Sequence, residues 1–219
     1  MPLTPPSTSR CSLYLVTPFL SGADANAFAD VFAEVLDAAA IACALVRLAP
    51  GAQTDAKAIL SPLLRAAMAA DCAILIETDA RLAARLGADG VHVAGASADL
   101  VSAIESLKPE RIVGAGSLRT RDEAMVAGEL GADYVMFGEP RRGARAMDLE
   151  ALAERVGWWA EIFETPCVAY ADAISAAGEL ARAGADFVAV DEAIWSAVSP
   201  PEAARQADAL LQGAAALIP

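Results

Sequence analysis

Gly87-Ala88-Asp89-Gly90-Val91 recurs twice along the chain, as Gly131-Ala132-Asp133-Tyr134-Val135 and as Gly184-Ala185-Asp186-Phe187-Val188. Successive copies begin 44 and 53 residues apart, which is about the length of two βα units. Glycine is favoured directly after a helix, where the backbone needs a positive φ, and here an apolar run follows at once. The repeat therefore predicts helix-to-strand turns that lead into every second strand of a regular βα array.

Around these turns, short apolar runs alternate with segments whose apolar residues recur three and four positions apart, as Phe28, Phe32 and Val35 do. Runs that are apolar on both faces are typical of parallel strands covered by helices. Eight such runs are present, at residues 13–16, 43–46, 73–76, 90–93, 111–114, 134–137, 167–170 and 187–190. Each unit then has about 27 residues, which suits a (β/α)8 barrel. We expect an α/β fold, with a single TIM barrel over residues 11–219 after a flexible N-terminal arm at residues 1–10.

The composition excludes several classes of protein. Apolar residues make up 56% of the chain, but the longest unbroken apolar run, residues 38–46, is far shorter than the roughly 20 residues of a membrane span. Lys and Arg number 16 and Asp and Glu number 29, so the net charge of −13 repels nucleic acids and anionic membrane surfaces. We therefore expect neither nucleic acid nor membrane as a partner.

The N-terminus and the cysteines indicate the compartment. Met1-Pro2-Leu3-Thr4-Pro5 has neither the basic region nor the apolar region of a secretion signal, which predicts a cytoplasmic protein. A free thiol within an apolar run behaves as a small hydrophobic group. We expect four reduced and buried cysteines, Cys11, Cys43, Cys72 and Cys167.

The repeated turns resemble those of a known family when they are taken with their neighbouring strands. Leu13-Tyr14-Leu15-Val16-Thr17, Val91-His92-Val93, Ile112-Val113-Gly114 and Val188-Ala189-Val190 complete, in the right order, a pattern similar to the thiamine phosphate synthase/TenI family. The resemblance covers most of the chain and implies a small (β/α)8 barrel. It also implies a chemistry: synthases of the family join a pyrimidine diphosphate to a thiazole phosphate with release of pyrophosphate, and TenI-type members tautomerise the thiazole.

The residues after strands two and five depart from the family pattern. The family's Gln-Leu-Arg-Glu-Lys, whose cations hold the diphosphate, appears here as Leu45-Val46-Arg47-Leu48-Ala49, so the resemblance retains Arg47 as a diphosphate-binding candidate. The family's Ser-Thr-His appears as Gly116-Ser117-Leu118, which retains Ser117 as a candidate but lacks the TenI-type catalytic histidine. His92, the only histidine, lies within a strand. We expect a buried core residue there, with a role as general base as the alternative.

The magnesium ligands implied by the resemblance are depleted. In the family, one aspartate after strand three and one after strand four help to hold Mg²⁺. This chain has Glu77 and Asp79 after strand three, whereas Ser97 stands at the second position and Asp99 is the next carboxylate. Because Mg²⁺ prefers carboxylate oxygens, Ser97 is a poor ligand. Mg²⁺ is the cofactor implied by the resemblance, with Glu77, Asp79 and Asp99 as its candidate ligands.

The phosphate-binding end of the family's barrel is acidic in this chain. Where the family has a Gly-Gly turn after strand seven and a small hydroxyl residue after strand eight, this chain has Asp172, Asp191 and Glu192. A carboxylate 4 to 6 Å from a phosphate opposes binding by about 1 to 4 kcal/mol. We therefore expect phosphate to bind poorly there in the family's mode.

Five arginines follow strands five and six, and they allow two interpretations. Guanidinium groups suit phosphate and carboxylate, so these residues predict a rearranged anion site. Alternatively, they pair with Asp172, Asp191, Glu192 and Glu139 in a surface ion network. The five are Arg119, Arg121, Arg141, Arg142 and Arg145.

Two functions follow from these residues. In the first, the chain is a synthase-type transferase of thiamine biosynthesis whose activity is weak or lost. In the second, it is a non-catalytic barrel that binds a small phosphorylated or other anionic molecule, or that acts as a regulatory or interaction module. Trp158 and Trp159 are adjacent on a predicted helix, so both cannot face the barrel. Either one of them marks a homodimer contact, or a neighbouring helix covers it.

Overall fold

The structure, a computed structural model, describes residues 11–77, 79–139 and 147–215. Its eight strands are all parallel and close into a barrel in sequence order, which confirms the predicted TIM barrel. The strands are β1 (Ser12–Leu20), β2 (Ile41–Leu48), β3 (Ala73–Glu77), β4 (Gly90–Ala94), β5 (Ile112–Gly116), β6 (Tyr134–Phe137), β7 (Cys167–Ala171) and β8 (Phe187–Val190). The predicted arm at residues 1–10 lies outside the described residues.

Helices follow the strands and cover the barrel. They are α1 (Ala25–Ala38), α2 (Ala56–Ala69), α3 (Ala80–Leu86), α4 (Ala98–Leu107), α5 (Arg121–Glu129), α6 (Leu149–Ile162), α7 (Ala177–Arg182), α8 (Glu192–Trp195) and α9 (Pro200–Ala215). The sequence predicts the helix that begins at Pro200 as the eighth, but the short helix α8 precedes it. In the part of the chain that the structure describes, no helix is long and apolar enough to cross a membrane.

The apolar residues form two layers. The outer layer lies between strands and helices and includes Phe32, Ile59 and Trp159, all fully or almost fully buried. The inner layer fills the barrel axis and includes Leu45 and Met136. Because side chains alternate along a strand, one run of apolar residues supplies both layers. This is why the predicted strands are apolar on both faces.

The three repeated turns are built alike. Their glycines Gly87, Gly131 and Gly184 have φ values of 78°, 97° and 105°, as the helix-to-strand turn requires. Their aspartates have a role that the sequence did not predict: each carboxylate accepts a backbone N–H from the first or second residue of the preceding strand. The pairs are Asp89 with Ile74, Asp133 with Val113 and Asp186 with Cys167, each at 2.8 Å.

Each of these aspartates therefore joins two neighbouring strands at the amino end of the barrel. A backbone N–H at the start of an inner strand has no solvent to bond, and the carboxylate satisfies it. Lys108 adds an ion pair with Asp133 at 2.7 Å. Burial raises the pKa of Asp186, whereas the N–H of Cys167 opposes that rise.

Three of the four cysteines, Cys43, Cys72 and Cys167, are buried as predicted, while Cys11 is half-buried, and all four are free thiols. Burial raises the pKa of Cys72 and of Cys167 to about 12. Trp159 is buried against the barrel. Trp158 is half-buried, with the guanidinium of Arg121 4.7 Å from its ring centre. A side chain of the neighbouring helix therefore covers this tryptophan, and the homodimer stays a prediction.

Candidate functional site

The carboxyl ends of the strands form one rim of the barrel, which is where active sites of this fold lie. Four polar side chains of this rim form two pairs. Arg47 at the end of β2 meets Asp191 after β8. Ser117 after β5 meets Glu139 after β6.

Arg47 is held from three sides. Its Nη2 lies 3.3 Å from Oδ2 of Asp191, and the two side chains are only 15% and 11% exposed. Its Nε donates a 2.6 Å hydrogen bond to the carbonyl oxygen of Thr17, and its guanidinium lies 4.8 Å from the ring centre of Phe19. The predicted diphosphate-binding arginine therefore already has an internal anion as its partner.

Asp191 also occupies the start of helix α8. Its Oδ1 accepts the backbone N–H of Glu192, a donor of the kind that binds anions at the rim of related barrels. Of the three carboxylates expected at this end, only Asp191 is buried, whereas Asp172 and Glu192 are exposed. Burial raises the pKa of Tyr170, and the adjacent Asp191 adds to that rise. The Asp191 carboxylate thus contacts both the Arg47 guanidinium and the backbone N–H of Glu192.

His92 lies inside the barrel and is 2% exposed. Its Nδ1 is 2.8 Å from the hydroxyl of Tyr134, which in turn is 2.9 Å from the hydroxyl of Tyr14. These hydrogen bonds lie inside the barrel, and His92 is buried as predicted. Its second nitrogen, Nε2, has no hydrogen bond among the described residues and lies 3.4 Å from Oε1 of Glu139.

Glu139 is held as an anion between His92 and Ser117. Its Oε2 accepts the backbone N–H of Ser117 at 2.8 Å and the Ser117 hydroxyl at 3.2 Å. Burial of this carboxyl opposes ionisation, but the adjacent His92 and the Ser117 donors lower the pKa of Glu139 to about 2. The sequence did not predict this contact, because it depends on two loops that follow different strands.

A groove of about 470 Å³ opens beside this pair. Arg119 is exposed in its wall, and its guanidinium has no hydrogen bond or ion pair with any described residue. Gly95 has a φ of 76°, and the carbonyl of Gly116 accepts its N–H at 2.7 Å. The groove is lined by Ala94, Gly95, Ala96, Ser97, Ser117, Arg119 and Glu123.

Arg121, unlike Arg119, does not line this groove. Arg121 pairs with Glu154 at 3.0 Å on the outer surface, and its guanidinium covers Trp158. Arg121 is thus in a surface ion pair, but its partner Glu154 is none of the four carboxylates that the ion-network interpretation names. Three of the predicted anion-binding residues, Arg141, Arg142 and Arg145, lie outside the described residues.

The candidate magnesium ligands do not form a cluster. Glu77 ends β3, while Asp79 uses Oδ1 to accept the N–H of Leu82 at 2.8 Å and so begins helix α3. Asp99 is exposed in the first turn of α4. Within residues 11–77, 79–139 and 147–215, no three His, Cys, Asp or Glu side chains could hold a metal ion together. Because Ser97 stands at the second of the two positions that the resemblance implies, the residues present do not supply the family's pair of aspartates.

Comparisons with known proteins identify the family. A family model described as thiamine monophosphate synthase matches residues 13–194. The thiamine-phosphate synthase of Rhodospirillum centenum is 40% identical over 200 residues, which are 89% of this chain and 94% of that protein. The thiamine-phosphate synthase of Hyphomonas neptunium is 36% identical over 208 residues, which are 90% of this chain and 92% of that protein.

A solved structure shows the same fold. Thiamine phosphate pyrophosphorylase from Pyrococcus furiosus superimposes with a TM-score of 0.78, although only 23% of the residues are identical. The match covers 93% of this chain and 96% of that one. Sequence and fold thus agree over nearly the whole length, and the chain belongs to the thiamine monophosphate synthase/TenI family.

Proposed function

We propose that this chain is a thiamine-phosphate-synthase-type barrel with little capacity to join a pyrimidine diphosphate to a thiazole phosphate. The relatives named thiamine-phosphate synthase support the reaction class. Arg47 supports it too, because this guanidinium lies at the barrel rim, in register with the family's diphosphate-binding arginine. The low capacity for this reaction follows from the carboxylate of Asp191, which lies beside that arginine.

The pair of Arg47 and Asp191 carries the proposal. A diphosphate that binds Arg47 must displace Asp191, or it must bind beside a carboxylate that is 3.3 Å from the same guanidinium. Two anions 4 to 6 Å apart repel each other by about 1 to 4 kcal/mol at effective dielectrics between that of water and that of a protein surface. Ground-state binding and departure of pyrophosphate both depend on this position. The internal carboxylate therefore weakens the substrate's anchor.

The depleted metal ligands support the same conclusion. Mg²⁺ usually binds through one or two carboxylates together with substrate phosphates. Here Asp79 already begins helix α3, and Asp99 is exposed on α4. The contribution of this chain's own residues is to hold the diphosphate at Arg47 and to orient that guanidinium through Thr17.

An assay tests the proposal directly. The protein is mixed with the pyrimidine diphosphate, the thiazole phosphate and Mg²⁺, and pyrophosphate release is measured. We expect turnover far below about 1 s⁻¹, an ordinary enzyme rate. Turnover of about 1 s⁻¹ or more would contradict the low capacity.

A variant tests the physical reason. Asp191→Ser keeps a hydroxyl to accept the N–H of Glu192 but removes the charge beside Arg47. We expect it to bind inorganic pyrophosphate about ten-fold or more tightly than the unmodified protein, measured by calorimetry. Asp172→Ser is the matched control, because that carboxylate is exposed. If both variants bind pyrophosphate with equal affinity, Asp191 does not weaken anion binding at Arg47.

A second candidate function rests on Arg119. This cation lines an open groove without a partner among the described residues, which favours binding of a small anionic molecule by a barrel that does no chemistry. Calorimetry with pyrophosphate distinguishes the two functions. If Arg119→Gln abolishes binding and Arg47→Gln does not, the second function is favoured. The opposite result favours the synthase-type site.

A further inference from the structure

Glu139 accepts hydrogen bonds from donors that would suit an anion from solution. The Ser117 N–H and hydroxyl reach Oε2 at 2.8 and 3.2 Å. Nε2 of His92 lies 3.4 Å from Oε1, and among the described residues it has no hydrogen bond of its own. Two hydrogen-bond donors and a ring nitrogen therefore surround one carboxylate at the mouth of the barrel.

The backbone of residues 116 and 117 leaves room for the Glu139 carboxylate and places a donor beside it. A Cβ at position 116 would lie 2.2 Å from Nε2 of His92 and 2.5 Å from Oε2 of Glu139, so only glycine leaves room for the pair. Ser117 has a φ of 55°, an unfavourable conformation for a residue other than glycine. In this conformation, its N–H donates a 2.8 Å hydrogen bond to the carboxylate. The His92 side chain is 2% exposed and that of Glu139 is 17% exposed, so water screens the group little.

We propose that Glu139 occupies an internal anion site, formed by His92 Nε2 and by the N–H and hydroxyl of Ser117, and that it thereby determines specificity. A ligand phosphate or carboxylate cannot use the Ser117 N–H and hydroxyl, or take the position beside His92 Nε2, while Glu139 occupies this site. The group that a ligand places at this corner of the rim is therefore uncharged or a hydrogen-bond donor. This inference does not depend on Arg47 or on the synthase reaction, because it concerns a different pair of loops.

Replacing the carboxylate with a small group tests the site. Glu139→Ala leaves the donors of the internal anion site in place and makes room for formate, a carboxylate with no side chain. His92 is the only histidine, so its imidazole resonances report the site without ambiguity. We expect formate to shift these resonances and to raise the thermal midpoint of Glu139→Ala. Formamide, a neutral molecule of the same shape, should need about ten-fold or higher concentration.

Two proteins serve as controls. The unmodified protein and Glu139→Gln both keep the space filled, so their imidazole resonances should not respond to formate. If Glu139→Ala folds only when formate is present, the proposal is supported. If it folds and formate changes neither measurement, or if formamide acts as well as formate, the proposal is wrong. Should Glu139→Ala remain unfolded under all conditions, the same titration of Glu139→Ser decides between these outcomes.

This test is independent of the proposed function. A response to formate in Glu139→Ala is expected whether or not the protein releases pyrophosphate in the synthase assay. A failure of the synthase proposal would appear in the Asp191→Ser and Arg47→Gln variants. A failure of the internal anion site would appear in the resonances of His92.

Discussion

Oδ2 of Asp191 lies 3.3 Å from Nη2 of Arg47, although 144 residues separate them in the chain. Arg47 is the last residue but one of β2 and Asp191 directly follows β8, and closure of the barrel through β1 brings the two strand ends together. The pair is largely shielded from water. It should therefore contribute to stability as well as limit anion binding.

Removal of Arg47 tests the energetic part of this pair. Arg47→Ala leaves Asp191 buried without its cation, and we expect the free energy of unfolding to fall by about 1 to 3 kcal/mol. Urea denaturation measures it. Arg121→Ala is the comparison, since its ion pair with Glu154 is exposed and should contribute less than about 1 kcal/mol. An equal loss in both variants would contradict the importance of burial.

The contribution of the turn aspartates to stability can be tested at Asp133. Asp133→Ala leaves the N–H of Val113 without an acceptor and removes the partner of Lys108, so we expect a loss of about 1 to 3 kcal/mol in the free energy of unfolding. Asp133→Asn retains an acceptor oxygen and should recover part of that loss. Chemical denaturation of both variants checks the prediction. It is wrong if the alanine variant is as stable as the unmodified protein.

Gly114 lies on β5 against the ring of Tyr134. A Cβ at this position would lie 2.0 Å from Cζ of that ring, so Gly114→Ala must displace a fully buried tyrosine. We expect a loss of about 3 kcal/mol, at the upper end of the cost of overpacking. Gly213→Ala in α9, where nothing lies within 4 Å, should instead add about 0.5 to 1 kcal/mol. Thermal unfolding distinguishes the two signs.

The ionisation of Glu139 predicts a dependence of stability on pH. Its pKa falls from an ordinary value of 4.5 to about 2 in the folded protein. The folded-state pKa is the lower one, so the stabilisation is complete above about pH 4.5 and is lost as the pH falls towards 2. This shift corresponds to about 3 kcal/mol.

Glu139→Gln removes this titration while keeping the size of the side chain. We expect the difference in the free energy of unfolding between the unmodified protein and Glu139→Gln to shrink as the pH is lowered below 4.5. Urea denaturation across that range measures it. A constant difference would show that the charge of Glu139 contributes nothing.

Local sequence patterns predicted the fold correctly because they depend on backbone conformation and on the burial of neighbouring residues. The glycines of the three turns indicate a positive φ wherever they occur, and the apolar runs indicate strands buried on both faces. The same runs predicted the burial of His92. The role of Asp133 and its two counterparts was missed, because a carboxylate that accepts an N–H about twenty residues away leaves no periodic signal.

The site was predicted only in part for a related reason. The sequence placed Arg47 and Ser117 at strand ends, and therefore at the rim, and the acidic residues after β7 and β8 indicated a conflict with phosphate. It could not show that Asp191 binds Arg47 or that Glu139 binds Ser117. Five-residue patterns specify backbone conformation, whereas these pairs depend on which loops a closed barrel brings within 4 Å.

The sequence by itself therefore determined the barrel, the family and the excess of carboxylates at the phosphate-binding end. Only the tertiary structure decided which carboxylates are buried and which donors they hold. The physical reason is that secondary structure follows from local propensity and periodic burial, while the charge of a site depends on pairs that lie far apart in the chain. Asp191 and Glu139 turn a general excess of negative charge into two specific internal contacts, each made to a group that could otherwise bind an anion.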